Sequence, residues 1–230
     1  MNLLIDLWEL FFPRYCVACG KRLLLEEKHL CLACYCALPR TRFHTLPGNE
    51  IEKCLWGKCP VNRASAFLHY SKGGIVKKLL FELKYYGNPK IGRYMGRCMA
   101  EELLPSGFFE GIDCIIPVPL HVQKLQSRGY NQSEVLAEGL SEVTHIPICT
   151  GVLKRVCYTE TQTHKNHFER WENVREVFEY VSASDLTDKH ILLVDDVMTT
   201  GATLVACADA LGQVSGLQVS VLTLAWASDS

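Results

Sequence analysis

The chain has 230 residues, of which 48% are hydrophobic and 21% are charged, and its formal net charge is −1. This composition excludes a disordered or collagen-like chain, and the near-zero charge excludes a general attraction to nucleic acid or anionic membranes. The chain also contains twelve cysteines but no signal-peptide pattern. Because it is not a small secreted scaffold, these thiols favour a reducing cytoplasm as its location.

The first predicted element is a short N-terminal helix. Its single apolar face is formed by Leu3, Leu4, Leu7, Trp8 and Phe11. Two acidic residues interrupt the apolar run and Pro13 ends it, whereas a membrane-spanning helix needs about 20 apolar residues. We therefore expect no transmembrane segment here, and we expect this helix to pack on the protein's own body.

The next feature is a pair of Cys-x-x-Cys motifs separated by eleven residues, formed by Cys16, Cys19, Cys31 and Cys34. Such pairs are typical of tetrahedral Zn²⁺ coordination, and four thiolates leave no open position for catalysis. The sequence thus predicts a structural zinc module over residues 1–62. Two disulfides or a redox dithiol are the alternatives. Four further residues are possible substitute ligands or a second partial site, and the alternative for the cysteines among them is buried free thiols. They are Cys36, Cys54, Cys59 and His44.

From residue 63 onward, strand-like and helix-like apolar segments alternate, which predicts a second domain over residues 63–230 with a mainly parallel sheet. Residues 156–173 are polar and predict a long loop. The predicted strands are Ala64 to Tyr70, Ile112 to Val118, Ile191 to Val194 and Gln218 to Trp226. The predicted helices are Gly74 to Leu83, Pro89 to Leu104, Ser133 to Val143 with Asn131 as its cap, and Thr203 to Leu211.

A turn of small residues follows the strand that ends at Val194. Asp195 and Asp196 come directly after the strand, and Gly201 lies just before the predicted helix. Backbone N–H groups in such a turn converge on an anion, and the helix N-terminus adds positive charge, so the turn is suited to bind a phosphate. The two carboxylates are suited to accept hydrogen bonds from ribose hydroxyls. The alternative is an acidic turn that only caps the helix.

This motif resembles the phosphoribosyl diphosphate signature of type I phosphoribosyltransferases. The resemblance implies an α/β fold with a mainly parallel sheet flanked by helices. It also implies that Asp195 and Asp196 hold the 2′ and 3′ hydroxyls, while Thr199 to Thr203 hold the 5′-phosphate. The ligand-binding stretch predicted in this way comprises Asp195, Asp196, Val197, Met198, Thr199, Thr200, Gly201, Ala202 and Thr203.

A zinc module ahead of such a domain resembles the ComF family, which is linked to bacterial competence and DNA uptake. The other segments that carry the resemblance are Pro117-Val118-Pro119-Leu120, Arg128-Gly129-Tyr130-Asn131-Gln132, Phe81-x-x-Lys84-Tyr85, and Arg155 with Thr159, Gln162, Arg170, Asn173 and Phe178. The resemblance implies phosphoribosyl diphosphate with Mg²⁺ as the ligand and DNA-uptake proteins as partners. His164 and Lys165 depart from the family pattern, which leaves the packing of their loop open.

The predicted catalytic set is Asp195, Asp196 and Arg128. Arg128 follows the second strand on a predicted loop, and its guanidinium offers a forked donor for the leaving diphosphate. The remaining predicted ligand contacts are Pro117 and Val118 at the strand end, and Gln162 and Arg170 on the long loop. That loop is either a lid that excludes water or an ordinary solvated loop.

Two functions follow as hypotheses. The first is transfer of ribose phosphate to an acceptor that the sequence does not identify. The second is a non-catalytic module that binds single-stranded DNA and partner proteins and is regulated by phosphoribosyl diphosphate. Interleaved cations and aromatics are typical of a stacking surface, although amphipathic helices with inward aromatics have the same pattern. The cations are Lys77, Lys78, Lys84, Lys90, Arg93 and Arg97, and the aromatics are Phe81, Tyr85, Tyr86 and Tyr94.

Overall fold

The structure, a computed structural model, describes residues 12–156, 177–181 and 185–228. The predicted N-terminal helix lies outside these residues, as do the two predicted contacts Gln162 and Arg170. These therefore stay predictions. Within the described part of the chain, no helix combines the length and the apolar character that a membrane crossing requires.

A four-stranded parallel sheet forms the centre of the fold. In chain order the strands are β1 (Ala64–His69), β2 (Cys114–Pro117), β3 (Leu153–Arg155), β4 (Phe178–Tyr180), β5 (His190–Met198) and β6 (Gln218–Trp226). The sheet has the order β1-β6-β5-β2, while β3 and β4 form a separate antiparallel pair. Val194 of β5 is level with Pro117 on one side and with Leu222 on the other. The carboxyl ends of β2 and β5 therefore meet at one edge of the sheet.

Helices connect the strands and cover both faces of the sheet. They are α1 (Leu32–Cys36), α2 (Glu50–Leu55), α3 (Ile75–Tyr85), α4 (Pro89–Leu103), α5 (Val122–Arg128), α6 (Gln132–Thr144) and α7 (Ala202–Leu211). The four predicted helices are confirmed as α3, α4, α6 and α7, and the four predicted strands also form. Strand β5 continues to Met198, beyond its predicted end, because its last residues still pair with β6. Helices α1, α2 and α5 and the β3–β4 pair are not predicted from the sequence.

The sheet is buried on both faces, which explains why its strands are continuous apolar runs. In β5, Leu192 and Val194 belong to the buried cluster with α3, α4 and α6. Ile191 and Leu193 belong to the opposite cluster with α2 and α7. The predicted α/β class, with a parallel sheet flanked by helices, is confirmed.

Helices α4 and α6 pack backbone against backbone. A Cβ atom added to Gly96 would overlap the Leu136 carbonyl oxygen, and one added to Gly139 would overlap the Arg93 carbonyl oxygen. Only glycine permits this approach. The contact positions α6, whose first turn carries Ser133 to the carboxyl ends of β2 and β5.

The segment over residues 38–62 packs directly on the sheet. The His69 N–H donates to the Pro39 carbonyl over 2.8 Å, beside β1. Asn49 caps α2, and its amide donates to the Ala64 carbonyl over 2.9 Å. These contacts join the end of the predicted N-terminal domain to the first strand of the sheet, and the boundary at residue 62 stays a prediction.

Candidate functional site

The carboxyl ends of β2 and β5 are connected through the segment that begins α6. The Val118 N–H donates to the Val194 carbonyl over 2.9 Å. The Asn131 side chain donates to the Val118 carbonyl over 3.0 Å and accepts from the Ser133 N–H, so it caps α6 as predicted. The predicted contact residue Val118 is thereby fixed beside the end of β5.

The acidic pair lies near the end of β5. The Asp195 Oδ1 atom accepts hydrogen bonds from the Ser133 hydroxyl over 3.0 Å and from the Asp196 N–H over 2.8 Å. Asp196 is 9% exposed, and Asp195 is partly buried. Burial, followed by the charge of Asp196, raises the pKa of Asp195 to about 7. Near neutral pH, Asp195 is therefore a titrating group of the site.

A cation from α3 is paired with Asp196. The Nζ atom of Lys84 lies 3.0 Å from Oδ1 and 2.9 Å from Oδ2 of that carboxylate. The side chains are 24% and 13% exposed, so the pair is largely shielded from solvent. The sequence pattern assigns Lys84 to a DNA-binding surface. In the structure, its ammonium instead faces the acidic pair, because the end of α3 passes the carboxyl edge of the sheet.

Helix α7 begins without a cap from any described side chain. Gly201 occupies the cap position with a φ of 79°, which is the left-handed conformation that favours glycine. A Cβ atom there would lie 3.0 Å from Leu55 Cδ2 and 3.1 Å from Met198 Cε. Among the described residues, neither acid caps α7. The first-turn N–H groups of α7 point toward the turn, where an anion would satisfy them.

The predicted ligand-binding stretch includes strand, turn and helix residues. Val197 and Met198 still belong to β5, where they are level with Ala225 and Trp226, and Met198 is buried. The residues after the strand have more solvent access: Thr199 is exposed, and Thr200, Ala202 and Thr203 are partly exposed. The polar surface that a phosphate would meet is accordingly formed by the turn and the first residues of α7.

Three more cations lie close to the acidic pair. Burial, followed by the charges of Arg155, Arg128 and Lys84, lowers the pKa of Lys124, while Asp196 acts in the opposite direction. These groups influence each other only because they are near neighbours. Their charges add to that of Lys84 in the neighbourhood of Asp196.

Arg128 is the last residue of α5, and its predicted position on a loop is wrong. Its Nη1 atom donates to Gln132 Oε1 over 2.7 Å. Its guanidinium carbon lies 5.7 Å from the centre of the Tyr85 ring, a distance typical of a cation–π contact. Helix α5 therefore holds Arg128 between α6 and the end of α3, on the side of the site where the cations gather.

The four predicted metal ligands come together. The sulfur atoms of Cys16, Cys19, Cys31 and Cys34 all lie within 4.8 Å of one another. The Cys19 and Cys31 sulfurs are 3.7 Å apart, whereas a disulfide needs about 2.05 Å. Tetrahedral coordination at about 2.3 Å per Zn–S bond gives about 3.8 Å between sulfurs. The cluster therefore fits a single metal ion, and the disulfide alternative is wrong for these residues.

Tight turns shape both halves of the cysteine cluster. The Gly20 N–H donates to the Cys16 carbonyl over 2.8 Å, and the Tyr35 N–H donates to the Cys31 carbonyl over 2.9 Å. The other cysteines of the N-terminal segment are separate from the cluster: Cys36 is exposed, and Cys54 and Cys59 pack against the buried cluster on the opposite face of the sheet.

The predicted basic surface is only partly formed. Lys78 donates to the Ala18 carbonyl, and both arginines of α4 form ion pairs with α6. These pairs join Arg93 to Glu138 and Glu142, and Arg97 to Glu142. Three of the four aromatic residues are not directed inward, since Phe81, Tyr85 and Tyr86 are 46%, 65% and 70% exposed. The fourth, Tyr94, is partly buried and packs against the core. The stacking surface that remains therefore comprises Lys77, Phe81 and Tyr85 of α3 and the residue after it, Tyr86.

Ser133, Lys124 and the pairing of Lys84 with Asp196 are not predicted from the sequence. Lys84 and Asp196 are 112 positions apart, so no local pattern links them. The only signal for Lys84 is its place in Phe81-x-x-Lys84-Tyr85. Lys124 lies on a helix that is itself not predicted.

Comparisons with known proteins agree with this geometry. Residues 106–229 match the family model described as the phosphoribosyl transferase domain. Competence protein F of Haemophilus influenzae is 26% identical over 225 residues, which cover 94% of this chain and 98% of the relative. DNA utilization protein YhgH of Escherichia coli strain K12 is 27% identical over 227 residues, covering 92% and 96%. The resemblance to the ComF family is thereby confirmed.

More distant similarities also exist. Competence protein ComFC of Bacillus subtilis is 24% identical over 194 residues, which cover 83% of this chain and 75% of the relative. Among solved structures, a purine phosphoribosyltransferase from Pyrococcus horikoshii has 18% identity and a TM-score of 0.37, with coverage of 58% of this chain and 80% of that one.

Proposed function

The chain belongs to the phosphoribosyl transferase domain family, and from this premise we propose that it binds phosphoribosyl diphosphate with Mg²⁺ and acts in the uptake or use of DNA. The observation that carries the ligand is the uncapped start of α7 directly after the acidic pair. A ribose 5-phosphate group needs hydroxyl acceptors and a phosphate site next to each other. The names of the two bacterial relatives, a competence protein and a DNA utilization protein, support the DNA-related role.

Each part of the ligand has a counterpart in the site. The 5′-phosphate accepts hydrogen bonds from the backbone N–H groups of the turn Thr199 to Thr203. The ribose hydroxyls donate hydrogen bonds to Asp195 and Asp196. The diphosphate lies against the cations around Arg128, whose forked guanidinium suits phosphate oxygens.

Mg²⁺ fits the donors of this site, because both carboxylates offer the oxygen atoms that this ion prefers. When bound, it would supply positive charge that offsets the negative charge of the ligand. The protein residues would hold the sugar and the leaving diphosphate in place. If transfer occurs, the C1′–diphosphate bond breaks, the diphosphate leaves with the bonding electrons, and an acceptor nucleophile forms the new bond to C1′.

We also propose that the metal of the cysteine cluster is Zn²⁺ and that it is structural. Four thiolates at tetrahedral spacing leave no open coordination position for water or substrate. A reducing cytoplasm would keep these thiols free to bind the ion.

The second candidate function is a non-catalytic module that binds single-stranded DNA and is regulated by phosphoribosyl diphosphate. The exposed aromatics of α3 support it, since bases stack on such rings. A cleft between the cysteine module and the start of α4 adds positive charge, because Arg14, Lys28 and Lys90 line it. Burial and the charges of these residues and Arg97 lower the pKa of His29 beside the cleft.

Calorimetric titration with phosphoribosyl diphosphate and Mg²⁺ tests the ligand. The double variant Asp195→Asn, Asp196→Asn keeps the side-chain volumes but loses the anionic acceptors. We expect its affinity to fall by about 100-fold or more, since each hydrogen bond to a charged group contributes about 1.5–3 kcal/mol. The control is Asp209→Ala, an exposed acid on α7, which should bind as the wild type does. Equal binding by the double variant would disprove the site.

A second assay separates the two candidate functions. Protein and phosphoribosyl diphosphate are incubated with nucleobases and with single-stranded DNA, and released diphosphate is measured. Release that depends on one acceptor supports transfer. Absence of release, together with DNA binding that weakens steeply with salt and is lost in Tyr85→Ala, supports the binding module.

A further inference from the structure

The Lys84–Asp196 pair lies within the candidate ligand site. Its two N–O distances of 3.0 and 2.9 Å show one ammonium between both oxygens of the carboxylate. The same carboxylate is a proposed acceptor for a ribose hydroxyl. Without a ligand, Lys84 therefore neutralises the acid that the ligand has to reach.

The end of α3 is held firmly in this position. Leu83 is buried, and its carbonyl accepts a hydrogen bond from the Tyr130 hydroxyl over 2.6 Å. The next residue but one, Tyr85, lies under the Arg128 guanidinium. These contacts come from the last residue of α5 and the turn that follows it, so this part of the chain holds Lys84 beside Asp196.

The charged groups around Lys84 determine which positions its ammonium group can occupy. Lys84 also interacts with the second acid of the site, Asp195, whereas the charged groups that it shares with the neighbouring Lys124 include the cations Arg128 and Arg155. If Lys84 leaves Asp196, its ammonium enters a region of like charge, which is unfavourable unless an anion arrives there. A diphosphate supplies that anion, whereas ribose 5-phosphate has no group at this position.

We propose that Lys84 is a further binding and positioning residue of the ligand site: it neutralises Asp196 in the free protein and transfers to the diphosphate when the ligand binds. This inference rests on the proposed function. It makes the site selective, since a ligand that carries both ribose and diphosphate frees Asp196 and receives Lys84 in one step. A sugar phosphate that lacks the diphosphate must separate Lys84 from Asp196 without offering Lys84 another anion.

Lys84→Met tests the inference when two ligands are titrated separately in the presence of Mg²⁺. Affinity for phosphoribosyl diphosphate should fall by about 10- to 100-fold, as for loss of a charge-assisted hydrogen bond. Affinity for ribose 5-phosphate should stay unchanged or increase, because Asp196 is already free. Lys84→Arg should restore part of the preference, and Lys72→Met, which changes an exposed lysine just before α3, should leave both affinities unchanged.

The outcomes separate this inference from the proposed function. Equal losses for the two ligands would show that Lys84 only maintains the structure, and unchanged affinity for phosphoribosyl diphosphate would also overturn the inference. If the wild type binds neither ligand, the proposed function fails and this inference fails with it.

A second variant is needed because Lys84→Met leaves a largely buried acid without its cation. Lys84→Gln keeps a hydrogen-bond donor for Asp196, and we expect the same change of preference between the two ligands. Thermal unfolding of each variant confirms that it is folded.

Discussion

Asp195 combines a ligand role with a titration near neutrality. Its pKa is raised to about 7 by burial and by the charge of Asp196, and its usual value in an unfolded chain is about 3.9. Between these two values the folded protein holds a proton that the unfolded chain has lost. The contribution of Asp195 to stability therefore decreases as the pH rises from about 4 to 7 and is constant above that. Ligand binding has the opposite pH dependence, since a ribose hydroxyl needs the ionised carboxylate as its acceptor.

We predict that the affinity for phosphoribosyl diphosphate falls as the pH is lowered from 8 to 5.5. The loss should approach tenfold per pH unit below the pKa of Asp195. Calorimetric titration at several pH values measures it. The ligand itself also titrates, so Asp195→Asn is the reference: this variant should bind more weakly at pH 8 and should show only the pH dependence of the ligand. Parallel profiles for the two proteins would contradict the assignment of the titration to Asp195.

At this scale, the parts of the site that could be predicted are those formed by consecutive residues. Asp195, Asp196 and Gly201 lie within one short stretch, so strand, acids and turn are visible in a single local pattern. Ser133 and Lys84 reach the same place only through the packing of α6 and α3 against the sheet. Their contacts depend on helix position and not on neighbouring residues, which is why no sequence pattern linked them to the acidic pair.

At the level of elements, the contact between α4 and α6 positions much of the site. Gly139 and Gly96 allow the two backbones to touch, and α6 in turn presents Ser133 to Asp195. Arg93 and Arg97 add ion pairs across the same contact, but these are partly exposed, and such pairs contribute only about 0–1 kcal/mol each. The close backbone approach is therefore the main determinant of how α6 lies.

We predict that Gly139→Ala destabilises the protein by about 1–3 kcal/mol or more, since the added methyl group overlaps the backbone of α4 and the helices must move apart. Urea unfolding measures the change. The displaced α6 should also weaken binding of phosphoribosyl diphosphate. The matched control is Gly73→Ala, where no described atom lies within 4 Å of the added Cβ. A Gly139→Ala variant as stable as this control would show that the two helices separate at no cost.

The same elements show which parts of the fold a sequence discloses. Helices α4 and α6 are long and periodic, and the sheet strands are buried on both faces, so both leave clear apolar patterns. Helix α5 has only seven residues, and its Val122 and Leu125 are 52% and 40% exposed. With so little burial, it has no apolar stripe to distinguish it from a loop. Strands β3 and β4, with three residues each, are too short for any periodicity.

At the scale of the whole molecule, the cysteine module and the sheet share one core. Ala18, Leu23 and Leu30 of the module belong to the same buried cluster as Phe67 of β1 and Leu83 of α3. Two polar contacts cross the same boundary: Lys78 donates to the Ala18 carbonyl, and Arg40 pairs with Glu102 over 2.5 Å. The loop at residues 20–30 forms neither a helix nor a strand, so the metal is expected to hold it in the shape that closes this end of the core.

We therefore predict that removing the metal destabilises the entire chain and not the module alone. Elemental analysis should find one zinc ion per protein, and chelation or Cys16→Ser should shift the thermal unfolding of the whole protein to lower temperature as one transition. Loss of the shared core should also weaken ligand binding, because α3 carries Lys84 on the same helix that packs against the module. Cys36→Ser is the control, since this exposed cysteine lies two residues after a ligand and its substitution should alter neither zinc content nor unfolding.

The metal-free protein could instead lose only a small early unfolding transition, while the main transition and ligand binding stay unchanged. The predicted boundary at residue 62 would then separate two independent units. In that case the zinc stabilises the module alone.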